Sequence, residues 1–428
     1  MEQGVQEIRS ERLGDHYYEV RHPSGLKIFI YPKEKYNSAY AVFGTKYGSI
    51  DNCFRISGEE GVHRVPAGIA HYLEHKMFES KEGNVDARYA KVGALVNAYT
   101  SFDMTCYVFS CTKHFCDCLG ILLDFVQQPY FTEETVQKEQ GIIGQEIRMY
   151  EDTPGWRVLF NLLRAMYHSH PVKTDIAGTA ESIAEITPEL LYECYRTFYN
   201  LNNMALCVAG NVNPEEVLSI CDKMLRPSKP MAVERIFKPE PDSIVNPRIE
   251  QKMSVAAPLF QLGFKEPAVK GRADVRQLAY TDILLEALAS PASPLYRRLI
   301  DAGLINEASF GSEYFEGPGF ASVIFSGESK DPDAVEDMIL KEIERFRQEG
   351  VGRETFRCAR NTVYGKYLGA MNLPSNIANS ILSLDFAGRE IFSYLSAVAE
   401  ADEEAVMERL KTQMDPGHAS LSIISPDQ

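Results

Sequence analysis

One pattern occurs twice in this chain and limits what it can fold into. Around Phe109 the sequence runs YVFSCTKHFCDCLGILLDFVQQPYFTEETVQKEQGIIGQE, and around Phe325 it runs SVIFSGESKDPDAVEDMILKEIERFRQEGVGRETFRCARNTVYGK. Each copy is a β-prone segment ending in Phe-Ser, a turn, a helix with apolar residues at helical spacing, a break carrying a Glu-Thr pair, and a second helix. Asp331 with Pro332 marks a helix start and Gly350 a helix stop. The expectation is a duplicated α/β unit whose first copy carries the chemistry.

Further strands are predicted at 26–31, 39–43 and 204–209, and helices at 133–150 and 188–199. Pro227, Pro230, Pro239, Pro241 and Pro247 predict an extended linker between the halves. The expected organisation is therefore a unit over 1–225, a proline-rich linker over 226–247 and a second unit over 248–428. At 45% hydrophobic and 24% charged residues the chain is globular rather than disordered. A net charge of −16 argues against nucleic acid or anionic lipid as a main partner. No apolar run is long enough to predict a membrane span, and the charged N-terminus predicts no secretory signal. The nine cysteines, odd in number and irregular in spacing, predict reduced thiols and a cytoplasmic location. Cys111, Cys116 and Cys118 near His114 are spaced unlike a four-ligand structural zinc site and read as thiols along a helix.

The segment with the clearest chemistry is His71-Tyr-Leu-Glu-His75. On a helix, histidines four apart project from one face and can bind one metal ion. Glu74 borders that face, placed to reach a water at the metal rather than the metal itself. This is His-x-x-Glu-His, the reverse of His-Glu-x-x-His. A catalytic zinc takes a third protein ligand. Glu139 and Glu146, seven apart on the helix after Thr132, share a face; one can ligate while the other supports a histidine.

With Gly68–His75, 93–101 (GALVNAYTS), Asp103, Thr105, 145–154 (QEIRMYEDTP), His170-Pro171, 176–179 (IAGT) and 209–212 (AGNV), the chain resembles the pitrilysin/insulinase family of zinc metallopeptidases, which includes mitochondrial processing peptidase. The resemblance implies an α+β fold of two homologous units, each a mostly antiparallel sheet flanked by helices. It implies one Zn2+ per chain on His71, His75 and Glu146, with Glu74 as general base and Glu139 supporting a histidine. It implies that Asn97, Ala98 and Tyr99 line an edge to which an extended peptide substrate adds as a strand.

The resemblance also implies a dimer, because four such units enclose a chamber. Many relatives carry an Arg and a Tyr in the second half that hold substrate. Here those positions fall near Ile300 and Asn306, with Arg297 and Arg298 slightly too early and Tyr314 a remaining aromatic. The counterpart of Glu146 falls near Lys366, so the second unit is expected to lack a metal. A zinc endopeptidase working beside a homologous metal-less subunit is the first reading, with a homodimer as the other assembly. The second reading is a non-catalytic, metal-bearing scaffold or peptide-binding subunit, and a remote third is hydrolysis of a non-peptide amide.

Overall fold

A computed structural model describes residues 4–81, 83–267 and 272–427. The chain falls into two compact units, one drawn from Met1–Ile147, Asp175–Ile236 and Ala370–Gly388, the other from Arg148–Thr174, Phe237–Gly369 and Arg389–Gln428. The fold is α+β, as expected.

The sheet of the first unit contains β1 (Val5–Ser10), β2 (Asp15–Arg21), β3 (Lys27–Pro32), β4 (Ala39–Thr45), β5 (Leu95–Thr100), β6 (Thr105–Cys111) and β7 (Met204–Gly210). Their order is β1-β2-β3-β7-β4-β6-β5, and β3–β7 is its one parallel pair. Strands β4 and β7 are buried along nearly their whole length, which explains their almost unbroken apolar sequences. Strand β5 instead alternates exposed and half-buried residues, as an edge strand should.

The sheet of the second unit contains β8 (Arg248–Met253), β9 (Leu259–Lys265), β10 (Gly311–Gly317), β11 (Phe320–Glu328) and β12 (Ala419–Pro426). Its order is β8-β12-β9-β11-β10, with β8–β12 parallel and the rest antiparallel. This repeats β3-β7-β4-β6-β5 strand for strand, including which pair is parallel. The repeat suspected from sequence is therefore present as topology.

The helices used below are α1 (Ile69–Lys76), α2 (Phe115–Val126), α3 (Glu133–Glu151), α4 (Pro154–Met166), α5 (Val275–Ala289), α6 (Pro332–Glu349), α7 (Arg353–Ala370) and α8 (Pro374–Phe386). The two copies of the pattern become β6-α2-α3-α4 and β11-α6-α7-α8. Asp331 caps α6 by accepting from the Ala334 N–H, and Gly350 ends it with φ +81°. Helix α4 packs on β9 and β12, whereas α8 packs on β7 and β4. The compact units thus interleave along the chain.

The proline-rich segment is extended, but it is not a free spacer. Val233–Arg235 pairs with Cys53–Ile56, and the Arg235 guanidinium bonds Asp51. In the second unit Glu240 accepts from the N–H groups of His168, Ser169 and His170 and pairs with Lys265 at 2.7 Å. Backbone donors and a buried cation fix this segment where proline alone would leave it mobile.

Candidate metal centre

The start of α1 is set by two glycines. Gly68 has φ +87°, and a Cβ there would lie 2.3 Å from the Ala177 carbonyl oxygen. Gly178, with φ +77°, stands against Ala67 in the same way, its Cβ 2.5 Å from that carbonyl oxygen. Ser182 Oγ donates to the Ala67 oxygen at 2.8 Å. The segments 68–75 and 176–179 are therefore a locked backbone junction that only glycine allows.

From that start, Tyr72 and Lys76 tie α1 to the beginning of α3. The Tyr72 hydroxyl donates to the Val136 carbonyl, and the fully buried Lys76 donates to the Thr135 carbonyl at 3.3 Å while pairing with Glu79. The histidine face of α1 then meets the glutamate face of α3. His71 Nε2 lies 3.7 Å from Glu146 Oε1, and His75 Nε2 lies 3.4 Å from Glu146 Oε2. One ligand atom from each of the three falls within 4.8 Å of the others, and among the described residues no other such group of His, Cys, Asp or Glu occurs. Cys111 ends β6, rather than lying on a helix as expected, while Cys116 and Cys118 lie on α2.

The surrounding groups shape this centre. His75 Nδ1 and Glu139 Oε1 are hydrogen-bonded at 3.1 Å. Burial pulls the His75 pKa down, but the bond to Glu139 and the nearby carboxylates raise it overall. At Glu139 burial pushes the pKa up, but the same bond together with the charges of His75, Lys76 and Lys138 lowers it overall. Burial, then the charge of His75, pushes His71 down to about 4, so its ring is neutral at pH 7 as a metal ligand must be. Burial raises the Glu74 carboxyl, and a hydrogen bond from Thr100 offsets part of that rise.

Asn97, Ala98 and Tyr99 lie on β5 itself, at the sheet edge, where β6 is its only neighbouring strand among the described residues. Two residues beside them carried no role in the sequence reading. Thr100 Oγ1 donates to Glu74 Oε2 at 2.7 Å. Asn379 of α8 accepts from the Tyr99 hydroxyl at 3.1 Å and donates to Tyr40 Oη at 3.1 Å. Thr100 stood inside a motif already noted, but a hydroxyl's target is not readable from sequence. Asn379 is 280 positions from Tyr99.

The second unit holds ion pairs where the first brings His71, His75 and Glu146 together. Lys366 of α7 pairs with Glu286 of α5 at 2.6 Å. Ile300 is half-buried, and Asn306 donates to Glu328 while accepting from the Ala308 and Ser309 N–H groups. Arg298 pairs with Glu342, and the Tyr314 hydroxyl accepts from Arg409, itself paired with Glu266.

Residues 64–180 match the insulinase family (peptidase family M16), and residues 185–363 match the domain described as the peptidase M16 inactive domain. Over 431 residues the chain is 38% identical to the uncharacterized zinc protease YmfH of Bacillus subtilis, covering 99% of each. The chain belongs to peptidase family M16. A crystal structure of an M16-like peptidase from Alicyclobacillus acidocaldarius has a TM-score of 0.92 at 34% identity and covers 100% of both chains. Pitrilysin shares the M16 fold with a TM-score of 0.75 at 17% identity, covering 100% of this chain and 47% of its own. In M16 terms, the first match contains α1 with His71, Glu74 and His75 together with Glu139 and Glu146 of α3.

Proposed function

We propose that this M16 chain is a zinc-dependent endopeptidase acting on oligopeptides or a peptide precursor. The observation that carries this reading is the convergence of His71, His75 and Glu146, with Glu139 and Glu74 around them. Two imidazoles and a carboxylate with a neutral, buried histidine fit Zn2+. His71, His75 and Glu146 would hold it. When bound, the ion lowers the pKa of a water and polarises the scissile carbonyl.

Glu74 takes the proton of the attacking water and passes it to the amine nitrogen as the peptide C–N bond breaks. Its raised pKa, caused by burial, suits a group that must accept and then return a proton. Glu139 holds the His75 ring in orientation. Asn97, Ala98 and Tyr99 take an extended peptide along the free side of β5 through main-chain hydrogen bonds.

The homologous units are proposed as 1–225 and 248–428, joined by 226–247, with the metal in the first only. The absence of an Arg/Tyr pair at Ile300 and Asn306 favours a partner subunit that completes the substrate site, hence a heterodimer with a homologous metal-less chain; a homodimer is the other assembly. Pitrilysin's chain, about twice as long, supports a working assembly of two chains of this size. Nine free cysteines support the cytoplasm as the location. The same missing pair favours the second reading, a metal-bearing scaffold that binds peptides without cutting them.

The deciding experiment incubates the zinc-loaded chain with a mixed peptide library and follows cleavage by mass spectrometry, with Glu74→Gln as control. Cleavage that disappears in the control is the expected result. Intact peptides in the presence of bound zinc, with and without the partner subunit, would leave the scaffold.

A further inference from the structure

We propose that Thr100 is a positioning residue for Glu74, so that the strand receiving the peptide also sets the orientation of the base. This rests on the endopeptidase reading of the same centre.

The geometry gives the Thr100 hydroxyl one evident task. Its oxygen donates to Glu74 Oε2 at 2.7 Å, and Glu74 is only 8% exposed. Across the β5–β6 pair Thr100 faces Thr105, whose hydroxyl donates to the Tyr47 carbonyl at 2.9 Å. The hydrogen of Thr105 is thereby committed, and the 3.4 Å approach of the two threonine oxygens leaves Thr100 to serve Glu74. A bond held at Oε2 restrains the carboxylate and leaves Oε1 to take a proton. Glutamate has three rotatable side-chain bonds, so a base without such a restraint spends time in unproductive orientations.

Thr100 is also the last residue of β5. Side chains alternate along a strand, so Val96, Ala98 and Thr100 share one face and Leu95, Asn97 and Tyr99 the other. Tyr99 is anchored on α8 through Asn379, and Thr100 on α1 through Glu74. The edge strand is therefore pinned on both faces at its end. A peptide that pairs with β5 stiffens the backbone from which the Glu74 restraint hangs.

The test compares Thr100→Val, which removes the hydroxyl at nearly constant shape, with Thr100→Ser, which keeps it. Zinc-loaded full-length protein is assayed on a peptide that the wild type cleaves. Thr100→Val should lower kcat by about 10- to 100-fold with KM within a factor of about two, and Thr100→Ser should recover most of the loss. Zinc content should stay at the wild-type value in both. In the Glu74→Gln background, Thr100→Val should leave peptide affinity unchanged. An unchanged kcat in Thr100→Val, an equal loss in Thr100→Ser, or loss of zinc would overturn the proposal. If the wild type cleaves no peptide either alone or with the partner subunit, the endopeptidase reading fails by itself. The crystal structure of Thr100→Val then decides the positioning role: a displaced Glu74 carboxylate supports it and an unmoved one refutes it.

Discussion

His75 Nδ1 and Glu139 Oε1 lie 3.1 Å apart, and that bond turns the His75 ring so that Nε2 faces Glu146 Oε2 at 3.4 Å. The two glutamates are two helical turns apart on α3 and do different work on one imidazole. The lower one fixes its tautomer and angle; the upper one meets its free nitrogen. In the proposed zinc centre this is how a carboxylate outside the donor set would tune a histidine inside it.

Replacing Glu139 by Gln should therefore weaken zinc binding about 10- to 100-fold, with activity recovered at high zinc. Replacing Glu146 by Gln should cost more, because a donor atom is lost. Competition titration against a zinc chelator measures both. An equal or greater loss in Glu139→Gln would exchange the roles of the two residues.

Lys366 occupies the α7 position that corresponds to Glu146 on α3, and its ammonium pairs with Glu286. Restoring a carboxylate there, in Lys366→Glu, should not create a second site. Helix α5 contains no histidine to complete it. Zinc stoichiometry should stay at one per chain. Because Glu286 is only 10% exposed and would then face a second carboxylate, stability should fall by about 1–3 kcal/mol. A second bound equivalent in metal analysis would contradict this.

Asn379 bridges Tyr99 of the edge strand and Tyr40 of β4. Asn379→Ala removes both bonds and should loosen β5 on the face away from Glu74. The expected result is a KM raised about three- to ten-fold, the equivalent of one neutral hydrogen bond, with kcat and zinc content preserved. A fall in kcat at constant KM would place Asn379 in the chemistry instead.

Much of the centre was legible because local helix geometry determines it. The four-residue spacing of His71 and His75 and the seven-residue spacing of Glu139 and Glu146 each define a helix face, whatever else the chain does. The edge at Asn97, Ala98 and Tyr99 came from the family resemblance rather than from the residues themselves. What sequence could not give was how the faces meet. Tyr72 and Lys76 reach backbone carbonyls, which no residue type advertises. The packing of α4 on β9 and β12, and of α8 on β4 and β7, depends on contacts between segments about a hundred residues apart or more. Asn379 and the Lys366–Glu286 pair belong to the same long-range class.

His170 gives the fold a pH dependence of its own. It is almost fully buried in the second unit, and both ring nitrogens are committed. Nε2 bonds the Pro318 carbonyl at 3.0 Å, so it carries the hydrogen; Nδ1 accepts from the Val172 N–H at 3.1 Å, so it is bare. A second proton would have to sit against that N–H. Burial, the largest cause, pushes the His170 pKa down to about 4, against about 6.5 in the unfolded chain. The unfolded state thus binds the proton first. The stabilisation is complete above pH 6.5 and declines as pH falls towards 4, by up to about 3 kcal/mol. His170→Asn keeps an acceptor near the Nδ1 position and does not titrate. Urea unfolding of both metal-free proteins between pH 7.5 and about pH 4 should show a steeper loss of stability on acidification in the wild type. His71, whose pKa is also depressed, contributes equally to both and cancels in the comparison. Parallel pH profiles would mean that His170 is already protonated in the folded protein, with a rearranged bond to Val172.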